Sequence, residues 1–170
     1  MSTPTHHEHK DHAPSSIGCM VITCSDTRTQ ETDTSGQLIQ KLLKEQGHTV
    51  PTYHLLKDEP AQIQLRITQC TTNDAVQAII INGGTGISRR DSTFEAVDAM
   101  LEKRLAGFGE IFRLLTYQDI GSPAIMSRAT AGIIKGRVLF SIPGSENAVR
   151  LAMEKLILPE LGHLVKELSK

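Results

Sequence analysis

The residues with the clearest capacity for chemistry are three glycines in four positions, Gly83-Gly84-Thr85-Gly86, followed five residues later by Asp91. The apolar run at 78–81 before them and the polar run at 92–95 after them predict a buried strand, a glycine turn and a helix start. Because glycine has no Cβ, the N–H groups of such a turn can approach phosphate oxygens. Asp91 is placed to hold the Mg²⁺ that accompanies a nucleoside triphosphate.

Two arginines, Arg89 and Arg90, directly precede Asp91. Two cations beside one carboxylate suit a site for phosphate and metal, and the alternative is a solvated charged loop.

The residues around the glycine turn exclude two common phosphate-binding motifs. A P-loop would need Lys-Ser/Thr after its last glycine, and a dinucleotide-binding turn would need a further glycine where Arg89 stands.

Asp58 and Glu59 follow the second predicted strand. Asp58 could join Asp91 around one magnesium ion. The alternative is that these acids complement the dipole at a helix N-terminus, and spacing alone favours that alternative.

The remaining candidate binding residues also lie in loops. Ser25 and Asp26 follow the first strand, where a turn or a helix cap is the alternative. Ser127 and Arg128 could hold a phosphate or the edge of a pterin, with a surface turn as the alternative. Pro143-Gly144-Ser145 forms a third loop at a strand end. No Cys-His or Ser-His pair indicates a nucleophile, so covalent catalysis is not supported.

Composition narrows the class of protein. The chain has 170 residues, enough for one domain, and a formal net charge of −1. That charge recruits neither nucleic acid nor an anionic membrane. No apolar run approaches the roughly 20 residues of a membrane span, and no leader opens the chain, so we expect a cytoplasmic protein.

Three cysteines, Cys19, Cys24 and Cys70, are expected to be reduced core thiols.

The chain divides into a tail and one domain. Residues 1–14 carry His6, His7, His9 and His12 among polar residues, which predicts a mobile tail. The alternative is weak binding of transition metals. Residues 15–170 form a single predicted domain.

Within this domain, predicted strands alternate with helices. Strands are expected at 17–23, 49–56 and 78–81, and helices at 35–46, 60–71 and 110–118. A further helix is expected after Ser92, with Ser92 and Glu95 as its capping box. Lys135-Gly136 joins a predicted hairpin of 130–134 and 137–142. Ser145 should cap a final helix, bent near Pro159, that runs to the end.

This alternation predicts an α/β fold with three layers. A mostly parallel sheet, carrying one small β-hairpin, should be covered by helices on both faces. Ligands of such sheets bind beyond the carboxyl ends of the strands. The loops at Ser25-Asp26, Gly83 and Pro143-Gly144-Ser145 satisfy that condition.

The motifs together resemble the MoaB/Mog family of molybdenum cofactor biosynthesis proteins, with the overall character of bacterial MoaB. The resemblance covers the chain from about Ile17 to its end. It rests on segments in a fixed order: Thr23–Asp26, Asp33-Thr34-Ser35-Gly36, the glycine turn with Arg90-Asp91, Gly107-Phe108-Gly109-Glu110, Ser127-Arg128-Ala129 with Gly132, and Ile142-Pro143-Gly144. Lys57, Phe94 and Ala106 depart from Mog-type members, which often have proline there.

The resemblance implies a molybdopterin-binding fold that self-associates as a trimer or hexamer, and possible contact with other cofactor-biosynthesis proteins. In the Mog branch, molybdopterin and Mg-ATP give adenylyl-molybdopterin and pyrophosphate. Some bacterial MoaB proteins adenylylate and others only bind the pterin, so a non-catalytic binding or scaffold protein is the alternative function.

By position, the resemblance makes Asp91 and Asp58 the magnesium-binding and catalytic residues. It assigns nucleotide and pterin contacts to Ser25, Asp26 and the turn of Gly83, Gly84, Thr85 and Gly86. Ser127, Pro143, Gly144 and Ser145 match the side that binds the pterin phosphate. Arg90 and Arg128 remain candidates for substrate binding from their charge.

Overall fold

A computed structural model of the chain describes residues 14–170. The histidine-rich segment of the predicted tail therefore lies outside the described residues. The predicted boundary between tail and domain stays a prediction.

The described residues form one six-stranded sheet. Its strands are β1 (Gly18–Cys24), β2 (Thr49–Leu56), β3 (Ala78–Asn82), β4 (Lys103–Arg104), β5 (Thr130–Ile134) and β6 (Arg137–Ile142). They lie in the order β2-β1-β3-β6-β5-β4. The first four in that order are parallel, whereas β5 is antiparallel to both β6 and β4. The mostly parallel sheet with one hairpin is thereby confirmed.

Helices cover both faces of this sheet. They are α1 (Thr34–Glu45), α2 (Pro60–Cys70), α3 (Thr93–Asp98), α4 (Ala106–Ile120), α5 (Glu146–Ala152) and α6 (Leu158–Leu168). A 3-10 segment, Ser122–Met126, follows α4, and a π-helical segment, Met153–Ile157, joins α5 to α6. Within residues 14–170, no helix is long and apolar enough to cross a bilayer.

Each face of the sheet has its own apolar core. On one face, Ile80 of β3 and Phe140 of β6 lie in a cluster with residues of α1, α4, α5 and α6. On the other face, Ile79 and Ile81 of β3 lie in a cluster with residues of α2 and α3. Successive side chains of a strand point to opposite faces, so a strand covered on both sides needs an unbroken apolar run. This is the sequence feature that predicted β1 and β3.

Some elements differ from the sequence prediction. The capping box of α3 is wrong: the Ser92 side chain makes no cap hydrogen bond to its own helix. Its hydroxyl donates to Asp58, and Glu95 pairs with Arg128 instead. The expected final helix is divided before Pro159. Proline has no N–H to donate one turn back, so the hydrogen-bonding pattern of the preceding turn changes.

Topology places the ends of the central strands around one crevice. Strand β1 lies between β2 and β3 in the sheet. From β1 the chain passes through α1 to β2 on one side, and from β2 it crosses back through α2 to β3 on the other side. The loops that follow β1 and β3 therefore separate at this point of the sheet. Such a switch point is where α/β sheets bind ligands.

The three thiols provide a test of the core. Cys19, Cys24 and Cys70 are all free and buried. Burial raises the pKa of Cys19 and Cys24 to about 12 and that of Cys70 to about 11. Since the thiolate is the reactive form, we expect the folded protein at pH 8 to react with Ellman's reagent at least roughly 100-fold more slowly than the denatured chain. Prompt reaction of any one thiol in the folded state would contradict this packing.

Candidate functional site

The loops after β1, β3 and β6 enclose a cavity of about 480 Å³ with the end of the 3-10 segment. Several candidate residues from the sequence line it: Ser25, Asp26, Gly83, Gly84, Thr85, Gly86, Asp91, Ser127, Pro143 and Gly144. Cys24, Thr27, Arg28 and Met126 complete the lining. Four other candidates, Asp58, Arg90, Arg128 and Ser145, do not line the cavity.

The glycine turn closes one side of this cavity through very close backbone contacts. Gly83 and Gly84 have φ angles of +95° and +62°, in the left-handed region that glycine adopts without strain. A Cβ on Gly83 would lie 2.1 Å from the carbonyl oxygen of Cys24, and one on Gly84 would lie 2.1 Å from Oγ1 of Thr93. Both positions therefore require glycine for space as well as for conformation.

The turn leaves consecutive backbone donors unused. Gly83 N donates to the carbonyl of Ile142 at 3.0 Å and ties the turn to β6. Within the described residues, the next three N–H groups, those of Gly84, Thr85 and Gly86, have no protein acceptor. Successive N–H groups around a left-handed residue form a nest that binds anions.

Arg128 supports this turn from outside the cavity. Its Nε donates to the carbonyl of Thr85 at 2.8 Å and its Nη2 to that of Gly86 at 2.5 Å. The guanidinium also lies 4.8 Å from the ring centre of Phe94 and pairs with Glu95, which lowers the pKa of that carboxyl. Because Arg128 binds the carbonyl oxygens of Thr85 and Gly86, these oxygens are kept away from the anion site formed by the N–H groups of the turn. The structure thus shows Arg128 supporting the turn, and the ligand contact expected for it stays a prediction.

Asp91 presents a free carboxylate oxygen at the same turn. Its Oδ2 accepts from the backbone N of Ser88 at 2.9 Å and from the Ser88 hydroxyl at 2.5 Å. Oδ1 accepts no hydrogen bond from the described residues. Mg²⁺ in phosphate sites takes one or two carboxylates together with phosphate oxygens and water. Asp91 could supply one such carboxylate oxygen; within residues 14–170, no group of three or more acidic, His or Cys side chains is arranged around a metal position.

Asp58 occupies a different environment. It is 6% exposed, and its Oδ1 accepts from Ser92 N at 3.2 Å, Ser92 Oγ at 2.8 Å and Thr93 Oγ1 at 3.1 Å. It therefore binds the beginning of α3, whereas the alternative expected from the sequence placed it at the N-terminus of the helix that directly follows it, α2. Its role as a second magnesium ligand stays a prediction.

Arg90 joins two loops through ion pairs. Its Nε and Nη2 donate to the two carboxylate oxygens of Asp26, each at 3.1 Å, and Nη2 also donates to Glu59 at 3.1 Å. These bonds lower the pKa of Asp26 and raise that of Arg90. Two of its nitrogens thus donate to carboxylates, and the substrate contact expected for Arg90 stays a prediction.

The serines divide between cavity and support. Ser25 Oγ accepts from the N–H groups of Thr27 and Arg28 at 3.3 and 3.2 Å, so Ser25 both lines the cavity and forms the predicted alternative, a turn. Ser145 caps α5 by accepting from Ala148 N at 3.3 Å, as predicted. Ser127 lines the cavity beside Met126.

Two charged residues beside the cavity were not among the candidate site residues: Arg28, and Asp33, which the sequence offered only as part of the segment Asp33-Thr34-Ser35-Gly36. Arg28 Nη1 donates to Asp33 Oδ1 at 3.2 Å, and Nη2 donates to the carbonyl of Gly144 at 3.0 Å. The Ser35 hydroxyl donates to the same carbonyl at 2.6 Å. Asp33 carried a usable signal, since an aspartate just before a helix start is a typical N-cap. Nothing in the sequence singled out Arg28 within its polar loop.

Comparisons with known proteins agree with this geometry. Residues 20–163 match the sequence profile described as "Probable molybdopterin binding domain". Molybdenum cofactor biosynthesis protein B of Bacillus anthracis is 54% identical over 164 residues, which cover 96% of this chain and 97% of that protein.

Solved structures give the same relationship. A crystal structure of a molybdenum cofactor biosynthesis protein B has a TM-score of 0.90 and 53% identity, covering 93% of this chain and 99% of that one. The tungsten cofactor synthesizing protein MoaB from Pyrococcus furiosus has a TM-score of 0.83 and 34% identity, covering 93% and 100%. On its fold, its cavity and these matches, the chain belongs to the MoaB/Mog family of molybdopterin-binding proteins in molybdenum cofactor biosynthesis.

Proposed function

We propose that this chain adenylylates molybdopterin with Mg-ATP, giving adenylyl-molybdopterin and pyrophosphate. One observation carries the proposal: Gly84, Thr85 and Gly86, whose N–H groups have no protein acceptor among the described residues, line the same cavity as Asp91, whose Oδ1 accepts no hydrogen bond from them. Anion donors and a metal-binding oxygen side by side are what a nucleoside triphosphate requires.

The proposed reaction is a direct transfer. The terminal phosphate of molybdopterin attacks the α-phosphorus of ATP, the bond to the β-phosphate oxygen breaks, and pyrophosphate leaves. The contribution of the protein is alignment and electrostatic stabilisation by the nest at Gly84–Gly86. Cys24 lines the cavity, but burial raises the pKa of its thiol to about 12, so it stays protonated at neutral pH. No covalent intermediate is needed.

Asp91 would hold magnesium through Oδ1, with phosphate oxygens and water as the other ligands. Bound there, the ion would offset negative charge on the departing pyrophosphate. Ser88 keeps the Asp91 side chain oriented by its two hydrogen bonds to Oδ2.

A binding or scaffold protein of the same pathway is the alternative. The observation that favours it is the small number of cations: among the residues that the structure describes, Arg28 is the only Lys or Arg that lines the cavity. Release of pyrophosphate from ATP when molybdopterin is supplied separates the two functions, because only the transferase produces it.

The resemblance also supports two further proposals about the working state of the protein. We propose that it acts in the cytoplasm, and that it works as a homotrimer or homohexamer in contact with other cofactor-biosynthesis proteins. Sedimentation equilibrium on the full chain would measure the number of subunits.

Replacement of Asp91 by Asn is expected to lower kcat by at least about 100-fold, because an amide is a poor magnesium ligand and the leaving group loses its stabilisation. Molybdopterin affinity should change little. Pyrophosphate release gives kcat, and fluorescence titration gives the affinity. Equal losses of turnover and pterin binding would refute this role for Asp91.

Replacement of Asp58 by Asn tests the second acidic residue. Since its buried carboxylate accepts three hydrogen bonds at the start of α3, we expect a loss of about 1–3 kcal/mol in the free energy of unfolding, measured in urea. A large fall in kcat with an unchanged urea midpoint would show instead that Asp58 acts on the metal.

Replacement of Gly84 by Ala tests the nest, with Gly107→Ala as the matched control. A Cβ on Gly84 would meet Thr93 and Asp58, whereas one on Gly107 has nothing within 4 Å. We expect Gly84→Ala to weaken Mg-ATP binding by roughly 10- to 100-fold in calorimetry, through lost N–H contacts. Gly107→Ala should bind normally, and equal affinities for the two variants would exclude the nest as the phosphate site.

A further inference from the structure

The charges around the cavity do not match the charge of its ligand. Molybdopterin and ATP are both anions, yet Arg90 pairs with Asp26 and Glu59, and Arg128 is held by carbonyls of the glycine turn and by Glu95. Neither guanidinium lines the cavity. Asp26 and Asp91, which do line it, are acidic. Besides a magnesium ion on Asp91, the positive charge available to a phosphate group here must come from Arg28, the one Lys or Arg of residues 14–170 that lines the cavity.

Arg28 is in the right place to supply that charge. Its guanidinium uses Nη1 on Asp33 and Nη2 on the carbonyl of Gly144, and its side chain is 29% exposed. A guanidinium has five N–H donors in a planar fork, so donors remain for a ligand. The contacts with Asp33 and Gly144 fix the plane of the Arg28 guanidinium group at the wall of the cavity.

Asp33 fixes the position of Arg28 from behind. Its side chain is fully buried. Oδ2 accepts from the hydroxyls of Thr23 at 2.6 Å and Tyr53 at 2.5 Å, and Oδ1 accepts from Gly36 N at 3.0 Å. These donors come from β1, β2 and α1, so three elements hold one carboxylate. Asp33 does not line the cavity, so any effect on a ligand there would be exerted through Arg28.

We propose that Arg28 binds a phosphate group of the ligand directly and that Asp33 is its positioning residue. The inference rests on the proposed function only for the source of that group. The group is either the terminal phosphate of molybdopterin or the polyphosphate of ATP, and both present the same oxygens to a guanidinium.

The experiment measures binding, so that it stays informative without turnover. Molybdopterin and inorganic pyrophosphate are titrated separately into the full-length protein, by fluorescence and by calorimetry. Arg28→Gln should weaken binding of at least one probe by roughly 10- to 100-fold, and the affected probe identifies the source of the phosphate. Arg28→Lys should recover part of the loss, since it keeps the charge without the planar fork.

Arg150→Gln is the matched control. Arg150 is exposed on α5 and pairs with Glu154, so its replacement removes the same charge from the molecule away from the cavity. Normal binding by this variant separates a local contact from a general effect of net charge.

The role of Asp33 is tested through a double-variant cycle. Asp33→Asn should weaken binding of the same probe in the wild-type background but add almost nothing to Arg28→Gln, because a positioning residue acts through its partner. Tyr53→Phe, which removes one hydroxyl donor to Asp33 far from the ligand, gives a second variant if Asp33→Asn folds poorly. It should show a smaller loss that also disappears with Arg28→Gln.

Two results would contradict this proposal. Unchanged affinity of Arg28→Gln for both probes overturns the phosphate contact. Additive losses in the cycle overturn the positioning role of Asp33. A wild-type protein that binds molybdopterin but releases no pyrophosphate from ATP refutes only the proposed transferase activity, since the molybdopterin titration still tests Arg28.

Discussion

The cavity depends on how closely the backbone at Gly83 and Gly84 approaches its neighbours. A single added carbon at either position would meet the carbonyl of Cys24 or the hydroxyl of Thr93 at 2.1 Å. Protein interiors have almost no free volume to absorb such a collision. The turn can therefore lie against the ends of β1 and α3 only because two side chains are absent. The same left-handed conformation leaves the N–H groups of Gly84, Thr85 and Gly86 without a protein acceptor among the described residues.

Hydrogen bonds from other parts of the chain keep the turn in this conformation. Arg128, more than forty residues later in sequence, takes two carbonyl oxygens of the turn, and β6 takes the N–H of Gly83. Asp58 holds the start of α3, whose Thr93 packs under Gly84. Preorganised donors of this kind need little rearrangement when a charged ligand arrives, which is the main physical advantage of a rigid anion site.

Charge is distributed in pairs around the cavity. Asp26 with Arg90 and Glu95 with Arg128 join an acid and a base from different segments, whereas Asp33 with Arg28 joins two residues of the loop after β1. Exposed pairs of this kind contribute little to the free energy of unfolding, whereas the fully buried Asp33 carboxylate would be costly without its partners. The pairs mainly fix loop positions. Oδ1 of Asp91 and the guanidinium of Arg28 are the groups that we propose for the metal and the phosphate.

The sequence by itself determined the layers, the parallel strands and the place of the site. Unbroken apolar runs require burial on both faces, and the glycines at 83, 84 and 86 mark the strand end where a backbone can meet an anion. It also predicted the thiols as buried and Ser145 as a helix cap, because both depend on local pattern. The predicted capping box at Ser92 was wrong, because the Ser92 hydroxyl donates to Asp58, which is distant in sequence, and makes no cap hydrogen bond to its own helix.

Only the tertiary structure decided which charged residues face the cavity. Arg28, Arg90 and Arg128 are equally polar in sequence, and each lies in a loop near a candidate site residue. Their directions depend on partners 5, 64 and 33 residues away in the chain, which are Asp33, Asp26 and Glu95. An arginine's role is set by the acceptors that surround it, and those acceptors are brought together only when the sheet and its loops have formed.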